Sequence, residues 1–150
     1  MTPFQLALLV QFIVVIAVGW VWGGHVERRV TVWVLLVELL SGGPLPTVWY
    51  RGVLPLEVLL DTAFTMATIR LALTGNRWWP FGVAGTLLLM LTLHLYVALQ
   101  PDVARATYIS AQIGLAALLF LMLPLGVFER LLAGEPPRSP GARWRRTKAT

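Results

Sequence analysis

Apolar residues run along this chain in long uninterrupted blocks, and polar residues gather in the short gaps between them. A helix needs about 20 apolar residues to cross a hydrocarbon core of roughly 30 Å. Four blocks reach that length: Pro3–Trp22, Val53–Leu73, Trp79–Leu99 and Ala106–Phe128. A fifth, Val30–Tyr50, opens as VTVWVLLVELL and is then interrupted by SGGPLP. The eleven residues of that opening cover only about 16 Å as helix. The pattern predicts an all-α membrane protein, a bundle of five transmembrane helices, or four if the broken one is omitted. The spans fall at about 3–22, 30–50, 53–73, 79–99 and 106–128, with the second short or broken at Gly42–Pro46. Residues 1–133 form the bundle and 134–150 a basic, mobile cytoplasmic tail.

Composition agrees with this reading. Of 150 residues, 57% are apolar and 13% charged, against roughly half and a quarter in an ordinary soluble domain. Cysteine is absent, which excludes disulfides, thiolate catalysis and cysteine-ligated metal sites. Trp20, Trp22, Trp33, Trp49, Trp78 and Trp79 stand near ends of apolar runs, where interfacial aromatics belong. The first block has no basic segment before it and is of full spanning length, so a retained helix is expected rather than a signal peptide.

Charge chooses between four and five spans. With five, Arg28, Arg29, Arg70, Arg77, Arg130 and the tail share one side, leaving Arg51 and Arg105 on the other. That places ten of the twelve basic residues inside. With four spans the split falls to eight against four. The positive-inside bias favours five, with the N-terminus outside and the C-terminus in the cytoplasm.

The third block carries Glu57, Asp61, Thr65 and Thr68 within about 80° of helical arc. An ionised carboxylate facing lipid costs at least about 2.5 kcal/mol, so this stripe must face protein or trapped water. The turn TGNR is short, and folding the next helix back across it sets His94 opposite position 59, between the two acids. Counting helical rise, Gln11, Asp61, His94 and Gln112 come out level, with Glu38 joining from the broken span. The expected buried polar cluster is Glu57, Asp61, His94, Gln11, Gln112 and Glu38. Tyr96, Tyr108 and the threonines are supporting donors. Two readings stand: polar groups that satisfy one another and fix register, or a proton, ion or substrate site.

Ala106, Ser110 and Gly114 repeat at four-residue spacing, with Gly82 and Gly85 on the preceding helix, the pattern that allows close helix approach. Pro124 predicts a kink or local unwinding in the last helix. In the tail, Arg138, Arg143, Arg145, Arg146 and Lys148 surround Trp144. Each such charge contributes about 1 kcal/mol at an anionic leaflet, so membrane lipids are one expected partner. Nucleic acid is not, since no reading element accompanies the tail. No nucleophile elbow, phosphate loop or metal motif is present, and no catalytic or metal residue is assigned. A bound lipid is the expected ligand, with a pigment held by His94 as the alternative.

The stretch RWWPFGVAGTLLLMLTLHL, Arg77 to Leu95, lies between an acid-bearing helix and a small-residue helix. In this it resembles small multi-span inner-membrane proteins of unassigned function from alphaproteobacteria. The resemblance takes in about half of the chain and implies fold and location only: a multi-pass protein of the bacterial inner (plasma) membrane. Pro55-Leu56-Glu57 is similar to the P-x-E element of small membrane lycopene cyclases. There a second acid usually follows, where this chain has Val58. The expected function is a small accessory or scaffold subunit of a respiratory or photosynthetic membrane complex. Its small-residue faces would meet other subunits or a second copy. The alternative is a transporter, a proton path, or a lipid- or isoprenoid-modifying enzyme built on Asp61, Glu57 and His94.

Overall fold

A computed structural model describes residues 3–41, 49–100, 102–103 and 105–135. Five α-helices account for nearly all of them: α1 (Pro3–Val21), α2 (His25–Ser41), α3 (Pro55–Thr74), α4 (Trp79–Leu99) and α5 (Arg105–Leu132). No strand occurs among the described residues. α4 and α5 are long and apolar enough to cross a membrane, with mean hydropathy 1.9 and 2.1. The expected break at Gly42–Pro46 and the tail residues Arg138, Arg143, Trp144, Arg145, Arg146 and Lys148 lie outside the described residues.

Local chemistry sets the helix ends. Pro55 and Pro80 sit in the first turns of α3 and α4, where a missing N–H forfeits no intrahelical bond. Ahead of α3, Tyr50 and Val53 exchange backbone bonds of 2.9 and 3.0 Å. The two residues between them, Arg51 and Gly52, have φ of 47° and 80°, as a tight two-residue turn requires. α5 ends in a Schellman turn: Gly134 at φ 69° donates to the Leu131 carbonyl, and Glu135 to that of Arg130.

Two helices depart from expectation. α2 starts at His25, five residues before the expected span, because the charged stretch HVERR is helical rather than loop. The cause is local: the Glu27 carboxylate accepts the Gly24 N–H at 2.9 Å, the reach-back half of a capping box. α5 does not unwind at Pro124 but stays helical to Leu132. Leu123 and Val127, on either side of the proline, are buried in the bundle, and packing outweighs the one lost hydrogen bond.

α4 packs between α3 and α5, α1 lies on α5, and α2 touches α1, α3 and α5. Val15, Val34, Phe64, Val83, Leu87, Leu119 and Leu123 form the shared core. Trp33 is half-buried and packs against this core, stacked on Phe64 at 5.9 Å and 10°. Trp79 is itself core, fully buried against Gly126. Trp20, Trp22 and Trp78 are exposed, as interfacial residues should be. Large apolar side chains are exposed as well, among them Leu6, Ile13, Met66, Leu88, Leu121 and Phe128.

The small residues divide into two groups. Gly82 admits Met122, whose Sδ would lie 2.7 Å from an added Cβ. Gly85 and Gly114 have nothing within 4 Å of that position, and Ala106, Ser110 and Gly114 are exposed. Among the described residues nothing packs closely on α5 at Gly114.

An added Cβ at Gly126 would meet three Trp79 ring atoms at 2.7–2.9 Å, and a buried indole cannot swing away. Gly126→Ala is therefore expected to cost about 1–3 kcal/mol, while Gly114→Ala is neutral. Unfolding of the two variants side by side in mixed micelles measures the difference.

Candidate functional site

Asp61 on α3, His94 on α4, and Tyr108 and Gln112 on α5 meet in one hydrogen-bonded chain. Asp61, His94 and Tyr108 are 7%, 2% and 2% exposed. His94 Nε2 lies 3.0 Å from Asp61 Oδ2. With Asp61 ionised its oxygens only accept, and Nε2 then carries the hydrogen. Nδ1 is then the acceptor, and the Tyr108 hydroxyl donates to it at 2.7 Å. The Gln112 amide donates to the Tyr108 oxygen at 3.1 Å and lies within 3.2–3.3 Å of both ring nitrogens. Every donor points the same way along the series, from amide to phenol to imidazole to carboxylate.

Helix geometry makes this meeting natural. Asp61 lies about 9 Å from the start of α3, His94 about 8 Å from the end of α4 and Gln112 about 10 Å from the start of α5. Tyr108 is one turn before Gln112 and shares its face. That spacing is visible in the sequence, and it marks Tyr108 as a member of the relay rather than a supporting donor. The Tyr108 ring is held edge-on by Trp49 at 6.5 Å, and the Arg105 guanidinium covers Trp49 at 3.8 Å. Tyr96 is exposed.

Two other candidates lie beside this chain without bonding to it. Glu57 is half-buried and Glu38 exposed, and with Asp61, Gln112 and Ser41 they line a cavity of about 200 Å³ between α2, α3 and α5. Among the described residues no arginine pairs with Glu38, Glu57 or Asp61. No three acidic or histidine side chains among the described residues converge closely enough to hold a metal ion. Gln11 does not join the cluster. Its amide donates to the Ala117 carbonyl at 3.3 Å, more than one turn beyond Gln112, because α1 and α5 do not start at a common depth. Thr65 and Thr68 are buried, but each hydroxyl donates to its own helix four residues back, at 2.6 and 2.8 Å. They complete the stripe's polarity without offering the site a donor.

A second polar cluster lies at the opposite end, from residues expected in cytoplasmic loops and the tail. Glu27 and Arg130 are almost wholly buried, with Nη1 3.9 Å from Oε2. Glu135 lies 3.3 Å from Arg130 and 2.5 Å from Arg77, which also reaches Glu129 at 4.0 Å. Sequence reasoning missed this group because nothing in a run of loop charges shows which of them the helix ends enclose. Gly24 and Gly126 were a usable signal, since both leave room for large side chains here.

No protein-family model, curated protein or solved structure matches the chain.

Two outcomes test the geometry. ¹⁵N NMR of His94 should show the Nε2–H tautomer, and Tyr108→Phe, which leaves Nδ1 and Gln112 without their shared hydroxyl, should cost about 1–2 kcal/mol. At the other end, Arg130→Leu strands Glu27 in the interior and should cost about 3–5 kcal/mol. Both losses are read from unfolding in mixed micelles.

Proposed function

We propose that this chain is a multi-span protein of the bacterial inner membrane whose working part is the Asp61–His94 pair, a proton-exchanging site within the bundle. The observation that carries this reading is the 3.0 Å contact of a buried imidazole with a buried carboxylate, Asp61, that lines an open cavity. Ionisable groups at membrane depth mark proton or substrate paths by default. Here Tyr108 and Gln112 extend the pair into a directed chain of hydrogen bonds. The cavity on the Asp61 side gives water or a ligand a place from which to exchange a proton with it.

The outer surface supports membrane insertion, because leucines, a methionine and a phenylalanine stand exposed on several helices, and α4 and α5 are long and apolar enough to span. The clustering of Arg28, Arg77 and Arg130 at one end supports placing that end in the cytoplasm. This fits five spans with the N-terminus outside.

A second reading rests on a different observation. The outward face of α5 with Ala106, Ser110 and Gly114, and Gly85 beside it on α4, is small, exposed and unoccupied. It suits close approach of a helix from another subunit or a second copy, as an accessory or scaffold subunit of a respiratory or photosynthetic complex would need.

Proteoliposomes carrying a trapped pH-sensitive dye separate the readings. Under an imposed proton gradient, the wild-type protein should relax the gradient faster than Asp61→Asn or His94→Leu, both of which should fall to the rate of empty vesicles. Equal rates for all three proteins would sink the proton-site reading. Loss of co-purifying subunits on Ser110→Trp would then support the accessory role.

A further inference from the structure

α1 and α2 meet at a corner that carries positive charge without a counter-charge. The Arg28 guanidinium donates through Nε and Nη2 to the Trp20 carbonyl, at 3.2 and 3.0 Å, and lies 5.4 Å from the Trp20 ring centre. That bond engages two of the guanidinium's five N–H donors and no negative charge. Arg29 is exposed, and neither arginine pairs with an acid among the described residues. Glu27, the one acid before Glu38 in the chain, is turned inward to Gly24 and Arg130. Trp20 and Trp22, at and just past the end of α1, are exposed.

The outward face of α2 is sorted by polarity. His25, Arg29, Val32, Leu36 and Leu39 are all exposed, and steps of four, three, four and three residues keep them in one row. Two polar side chains thus head a row of hydrocarbon. From Arg29 to Leu39 the helix rises about 15 Å, half of a hydrocarbon core of roughly 30 Å. The row therefore has the depth of one leaflet, with its cation at the surface end.

We infer that this corner binds one anionic phospholipid of the cytoplasmic leaflet, its phosphate against Arg28 and Arg29 and its acyl chains along Val32, Leu36 and Leu39. The inference goes beyond proton exchange and takes from that reading only the membrane setting.

Charge and shape both select this ligand. Guanidinium groups match phosphate oxygens with paired N–H donors, and the Trp20 carbonyl already fixes the Arg28 side chain, so little of its freedom is lost on binding. A zwitterionic lipid brings its own ammonium to the same two cations. A soluble anion meets the charge but leaves the apolar row uncovered. The indoles of Trp20 and Trp22 suit the headgroup level, where a ring with one polar edge is favoured.

Native mass spectrometry of the full chain, released from detergent after titration with lipids of matched acyl chains, tests the inference. Phosphatidylglycerol should give an adduct that saturates at one per chain and binds roughly tenfold tighter than phosphatidylcholine, as two cations at an anionic headgroup require. Glycerol 3-phosphate, the head without the chains, should bind far more weakly. Arg29→Gln, which removes no ion pair, should weaken phosphatidylglycerol about fivefold, the effect of one such charge. Arg51→Gln at the opposite end should change nothing, and the pair Arg145→Gln and Arg146→Gln should matter less than Arg29→Gln. Equal binding of the two lipids overturns the anionic head and leaves the corner to an acidic subunit. Glycerol 3-phosphate binding as tightly as the lipid overturns the role of the α2 row. Loss with the Arg145 and Arg146 pair but not with Arg29→Gln overturns the corner in favour of a general basic attraction. A chain that stays dispersed without detergent defeats the membrane setting itself, whereas one that needs detergent yet prefers no lipid defeats only this site.

Discussion

A polar group held in an apolar surrounding must find its partner inside the protein, and this requirement shapes the bundle from one end to the other. Asp61 is met by His94, and His94 by Tyr108. Glu27 is met by the Gly24 N–H and by Arg130. Between the two ends, Thr31, Thr65, Thr68 and Thr86 are buried, and each hydroxyl bonds to the carbonyl one turn behind it. Threonine can therefore occupy the interior without calling for a second helix. What is left in the middle is Val15, Val34, Phe64, Leu87 and Leu123, whose packing has no directional demand of its own. Helix register is thus set by the polar contacts near the ends, and the apolar layer fills the space they define.

The two ends differ in how tightly they close. At the Arg130 end, Gly24 and Gly126 let a guanidinium and an indole press against backbone, and a Schellman turn brings Glu135 back over Arg77. At the Asp61 end, cavities remain between α2, α3 and α5 and between α1 and α5. A bundle closed at one end and cleft at the other can change the hydration of its clefts without repacking its core. Packing density of the closed interior makes any other arrangement costly.

Much of this was legible in the sequence, for identifiable reasons. The third and fourth helices are joined by a turn too short to allow anything but an antiparallel hairpin, so His94 could be set against Asp61 by counting across it. α3, α4 and α5 begin within two residues of expectation because Pro55 and Pro80 and the Gln100–Asp102 gap punctuate the chain. Gln11 was misjudged because α1 and α5 are not sequence neighbours, and no turn length fixes their relative height. The helical start of α2 was missed because HVERR looks like a solvated loop until Arg130, about a hundred residues away, is known to lie against Glu27. Trp33 and Trp79 look interfacial by position, and only the packing of Phe64 and Gly126 shows that they turn inward.

The choice of partner at each end carries the functional argument. A guanidinium does not release its proton in a protein, so the Glu27–Arg130 contact is a fixed charge pair whose role is completed by folding. An imidazole does release its proton. Pairing Asp61 with His94 joins the carboxylate to a ring whose second nitrogen carries the hydrogen-bonded chain on to Tyr108. Tyr108 holds the ring in one orientation through its contact with Nδ1, and Gln112 holds the Tyr108 hydroxyl in turn. A histidine at this place joins α3 to α5 through both ring nitrogens, one donating to Asp61 and one accepting from Tyr108, which a guanidinium, having no acceptor, could not do.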